Sequence, residues 1–263
     1  MIATGATDLL VLDLSGPALR AALSDLATAA EPTGGIEAYV GLLRLKAALF
    51  SERLTSGRAT LLDEATFGEL CGFIAPARRR AGAWIAAHGF PLLRARLERL
   101  LAGVPVAGDV DARLGAFVEA FAGEGIHRWA RDLAAELLHF TAPDAVPLMT
   151  RWMWDAATAT GVLREIWHET ETLPDGPPVA DDCATFVTLR EELFGFLRDN
   201  GAFRDLPLLA DLLCAHVYSG YIDRRGGAYL KTQFGAAPDP MAHTRRLLGL
   251  DAAAVRQPRQ QAA

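Results

Sequence analysis

Two Glu-x-x-His spacings are the best candidates for chemistry in this chain: Glu136-Leu137-Leu138-His139 and Glu165-Ile166-Trp167-His168. On a helix, residues three apart share a face, so each carboxylate and imidazole can reach one metal ion. Two such motifs on facing helices, with a further Glu from each of two other helices, build a di-iron carboxylate centre. Glu119, Glu191 and Glu192 are the candidates for the missing carboxylates. Iron or manganese held there would act as a Lewis acid and oxygen-activating centre, making the protein an oxidative metalloenzyme. The order departs from the bundle pattern, because no full helix stands between the two motifs to contribute a Glu. A plainer account is favoured, in which a surface Glu lies beside a partly buried His.

The same region concentrates rings. Residues His127 to His168 hold four of the five tryptophans, Trp129, Trp152, Trp154 and Trp167, and three of the six histidines. Trp, Arg and His are the side chains that surround a planar ligand or anchor a partner surface. His127, Trp129, Arg151, Trp152, Trp154 and Trp167 are therefore the candidate contact residues. Trp152 and Trp154 are two apart, so on one helix they diverge and one of them can line a pocket. Arg151 and Asp155, at four-residue spacing, suit an ion pair. Ordinary core packing is the competing and favoured account of the indoles.

Other chemistries lack their signatures. There is no Gly-x-Ser-x-Gly elbow, no Cys beside His in a nucleophile pattern, and no phosphate-cradling glycine loop. Cys214 lies two residues before His216, a spacing that separates side chains on a helix. Tyr218, Tyr221 and Tyr229 gather near Arg224-Arg225 and suit a partner or an anion, although a solvated turn explains them as well. The run Leu137-Leu138-His139-Phe140 through Pro143-Asp144 to Pro147-Leu148 resembles the segment after the hairpin in helix-hairpin-helix DNA glycosylase-like folds. The glycine-rich hairpin of that family is not recognisable, and Thr150 stands where its aspartate is expected. The resemblance covers a small part of the chain and is not membership. It leaves a DNA-binding or repair-like module as a third reading.

Composition sets the frame for these residues. At 263 residues and 51% hydrophobic, the chain can bury a large core without a disulfide or structural metal. Leu, Ala and Arg dominate while β-branched residues are sparse, which favours helix. The net charge of −6 is a poor starting point for non-specific binding to nucleic acid. Lys46 and Lys231 are the only lysines among 26 basic residues, an arginine excess that coding bias explains most simply. Cys71, Cys183 and Cys214 are scattered and odd in number, as buried thiols in a reducing compartment would be. No run approaches the roughly 18 apolar residues of a membrane span, and the N-terminus lacks a basic leader. Together these predict a cytoplasmic protein off the membrane.

Helix signals recur along the chain. Ser15 with Pro17 starts a helix to about residue 30. Others are expected at about 36–54, 63–75, 77–88, from Pro91, at 109–122 and at 125–140. Thr141 with Pro143 and Asp144 reads as the start of the next. Asp182 caps a helix ending at Asn200-Gly201, Asp205-Pro207 begins one to about Tyr218, and Asp239-Pro240 begins the last, to about Leu250. The fold expected is mostly α: a globular helical domain of about ten helices over 1–250. Lobes 1–168 and 181–250 around loop 169–181 remain open, with at most a short β-hairpin near 220–235 and a disordered tail at 251–263. The function expected is that of a helical binding or accessory protein engaging a protein partner or small ligand through segment 127–168.

Overall fold

A computed structural model describes residues 10–55, 57–103, 105–121, 128–168, 176–226 and 239–253. Their regular structure is helical: α1 (Gly16–Ala30), α2 (Gly35–Leu54), α3 (Glu64–Cys71), α4 (Ala81–His88), α5 (Phe90–Leu100), α6 (Ala107–Glu119), α7 (Arg128–Thr141), α8 (Val162–Ile166), α9 (Cys183–Asp199), α10 (Leu206–Gly226), α11 (Ala242–Leu247) and α12 (Leu250–Ala253). Short 3-10 turns follow α1 and α2. Among the described residues extended pairing is limited to two isolated bridges, Leu14 with Trp167 and Asp155 with Thr160. The mostly α reading holds.

The caps show why the helices begin where they do. Ser15, Asp63 and Asp182 each accept a hydrogen bond from the backbone N–H three residues on, satisfying one of the orphan donors of a first turn. In α2 the buried positions Tyr39, Val40, Leu43, Ala47, Phe50 and Leu54 recur every three or four residues, the stripe of a helix laid on a core.

Helix α7 is the axis of the molecule. From Asp132 to Thr141 every residue is buried. It packs against α2 and α6, while α10 packs against α1, α2, α8, α9 and α11. One continuous apolar cluster runs through these elements from Leu12 to Leu250.

Three expectations change. The chain does not re-enter a helix at Thr141. That residue ends α7, and 142–161 are turns and extended backbone. Pro147 disfavours the helical region at Val146, and the Val146 carbonyl is engaged instead by His139 Nδ1 at 2.8 Å. Helix α10 runs on to Gly226 through the stretch expected to be irregular, so 220–226 are not hairpin. The rest of that proposed hairpin lies outside the described residues. The final helix is two, divided at Gly249, and α12 covers 251–253 of the expected tail, with 254–263 outside the described residues.

Candidate functional site

The polar residues of α7 organise the interior. Asp132, Glu136 and His139 lie on one stripe of the helix, and each meets a partner from a different element. Lys46 Nζ, on α2, donates to Glu136 Oε2 at 2.9 Å, to the Phe73 carbonyl at 3.0 Å and to the Leu248 carbonyl at 2.9 Å. It also sits 3.8 Å from the centre of the Phe140 ring. Burial pushes the Lys46 ammonium down and the Glu136 carboxyl up from their ordinary values, each opposed by the partner's charge. His139 donates through Nδ1 to the Val146 carbonyl, and its Nε2 lies 2.8 Å from Asp211 Oδ2 on α10.

The third member, Asp132, is buried too and is bound to the half-buried Arg151. Asp132 Oδ1 accepts the backbone N–H of Arg151 at 3.0 Å, and Oδ2 accepts Arg151 Nε at 3.2 Å and Nη2 at 2.6 Å. This fork ties the 151–161 loop back to α7. The loop then folds back on itself: Val162 N–H donates to the Trp152 carbonyl and Leu163 N–H to that of Met153. Gly161 makes the return possible. Its φ is +131°, and an added Cβ would lie 2.7 Å from the Met153 carbonyl oxygen.

So held, Arg151 and Trp152 form one wall of an open cleft of about 660 Å³. That volume lies within the roughly 300–1,000 Å³ of small-molecule sites. Tyr218 and Ile222 of α10 form a second wall, and His243, Arg246 and Leu247 of α11 a third. Arg128, Asp155 and Pro76 complete it. The Trp152 and Tyr218 ring centres are 6.0 Å apart with planes tilted by 38°, making an angled aromatic ledge. The Trp152 ring N–H is buried and has no acceptor. Burial pushes the Tyr218 phenol up, so it remains a neutral O–H donor at physiological pH.

The other candidate residues are distributed differently. Trp129 is buried against Phe121 with ring centres 5.5 Å apart. Trp154 is 1% exposed and donates to the Val179 carbonyl at 3.2 Å. Trp167 is buried beside the Leu14 bridge. His127 lies outside the described residues. Glu165 accepts from Arg224 at 2.7 Å, and His168 lies 3.5 Å from Asp13. The four residues considered as metal ligands, Glu136, His139, Glu165 and His168, thus have four separate sets of partners. Among the described residues no group of three or more His, Cys, Asp and Glu is placed to hold a metal ion. Arg151 pairs with Asp132 instead of Asp155, because the two do not share a helix. Thr150, at the aspartate position of the glycosylase-like resemblance, is fully buried.

Reasoning from sequence missed Asp132, Arg128, His243 and Arg246. Only Tyr218 carried a signal, as part of the tyrosine group near Arg224-Arg225. Two other cavities of about 350 and 280 Å³ carry charged groups that already have partners, such as Asp25 with His216 and Asp109 with Arg113.

No family model, curated protein or solved structure matches this chain. No helix of the described residues is long and apolar enough to cross a membrane.

Proposed function

We propose that this chain is a non-enzymatic binding or accessory protein whose cleft takes a small organic ligand. The observation that carries the reading is Trp152: its ring walls a ligand-sized cleft beside Tyr218 and holds a buried N–H with no acceptor. A buried donor left unmatched costs free energy, and a ligand acceptor removes that cost. The rigid Asp132–Arg151 fork supports the reading, since a pre-ordered wall loses little freedom on binding. Concavity favours a small ligand over a flat protein partner. Three buried free thiols fit a cytoplasmic setting.

Saturation-transfer NMR with a set of one- and two-ring fragments tests the proposal. Some fragments should bind the protein and lose their signal with Trp152→Ala, whose fold is checked by circular dichroism. Equal binding to a folded Trp152→Ala variant, or no binding at millimolar fragment, overturns it.

A further inference from the structure

The charges around the cleft differ in how they are already used. Asp132 has both oxygens occupied by Arg151, so neither residue presents a net charge to a ligand. Asp155 is buried, and its carboxylate accepts the Thr158 N–H within its own turn at 3.3 Å. His243 is held by Asp223 at 2.9 Å. Arg128 and Arg246 stand apart. Both are exposed, and among the described residues neither guanidinium has a hydrogen-bond or ion-pair partner.

An aromatic ledge beside carboxylates would suit a cation, as in the cages that hold quaternary ammonium groups. Here Asp132 is spent on Arg151 and the one other carboxylate, Asp155, is buried and turned to a backbone N–H, while two guanidinium groups stand open, which favours an anion. A guanidinium offers a planar fork of donors matched to a carboxylate, and it is more weakly hydrated than an ammonium. The ledge in turn supplies ring faces, and offset or tilted ring pairs attract beyond what burial alone gives.

Resting on the binding reading above, we propose that the ligand of this cleft is a planar aromatic carboxylate. Its ring lies on the Trp152–Tyr218 ledge and its anionic group is met by Arg128 and Arg246. The Tyr218 phenol has no hydrogen-bond partner among the described residues and is a further donor to that anion.

Isothermal titration of the full chain with four probes tests the charge and the ring separately: 2-naphthoate, 2-naphthamide, a naphthylmethyl trimethylammonium salt, and inorganic phosphate. The naphthoate should bind at least about tenfold more tightly than the amide, equivalent to about 1.4 kcal/mol. Its advantage should shrink as salt is raised. Arg246→Gln and Arg128→Gln, both at exposed positions, should each weaken naphthoate towards the amide's affinity. An amide that binds as well as the acid, or an ammonium salt that binds best, overturns the charge assignment while leaving the binding reading intact. Phosphate binding as tightly as naphthoate overturns the role of the ring. If none of the four binds, this inference falls, while the fragment set above decides the binding reading by itself.

Discussion

Lys46 is held on every side in the interior. Its three N–H groups meet three oxygens, one on α7 and two in the turns after α3 and α11, and a phenyl face lies beneath. Removing one partner of a buried ion pair leaves the other charge uncompensated, at about 3–5 kcal/mol. Lys46→Met should therefore lower the urea midpoint by that equivalent. Lys46→Met with Glu136→Leu should recover part of the loss, because the carboxylate is gone but the Phe73 and Leu248 carbonyls still lack a donor. A double variant no better than the single would show that those carbonyls, rather than the charge pair, carry the effect. From sequence, Lys46 is a lone lysine among arginines on a helix. Nothing in its neighbours shows that it turns inward, since Glu136 is ninety positions away.

At the level of elements, the caps and periodicities of α1, α2, α3 and α9 were legible because they are local. Each rests on a side chain and an amide three residues apart, or on apolar residues at helical spacing. Helix α7 was legible as a helix but not as a core. Its Glu136 reads from sequence as a surface carboxylate beside a partly buried His139, and the partners that enclose the two lie 90 and 72 residues away. The cleft was half legible for the same reason. Arg151 and Trp152 stood out by type, while Arg128, His243 and Arg246 come to it through tertiary packing.

The α11–α12 segment that supplies the third wall is seated at Gly249, whose φ is +71°. An added Cβ there would lie 1.7 Å from the Phe73 carbonyl oxygen, the atom that Lys46 also holds. A non-glycine residue in such a conformation costs about 1–3 kcal/mol before any clash is counted. Gly249→Ala should thus destabilise the protein by more than about 1 kcal/mol and open residues 239–253 to protease. An unchanged midpoint together with unchanged protection would mean that the segment is not seated as described.

For the whole molecule, the thiols report on the integrity of the core. Burial pushes Cys71 up to about 12 and Cys183 up to about 11, and it pushes Cys214 well above the ordinary value near 9. All three should resist an aromatic disulfide reagent at pH 8, reacting only as fast as the chain opens. A stoichiometric burst from folded protein would contradict this. The sign of the linkage follows from the direction of these shifts. The folded state holds thiol protons that the unfolded chain releases above about pH 9. Their stabilising contribution is therefore complete below that pH and is lost as pH rises through about 11 and 12. The urea midpoint at pH 10.5 should fall below that at pH 8.

The sealed ammonium of Lys46 has a practical corollary. Amine-acylating reagents, and enzymes that acetylate lysines, gain this nitrogen only when the seam between α2 and α7 parts. An unfolded chain consequently accepts an acyl group at this nitrogen that the native one refuses. That single increment, weighed on an intact-mass spectrum, counts unfolded molecules without any dye or engineered tag.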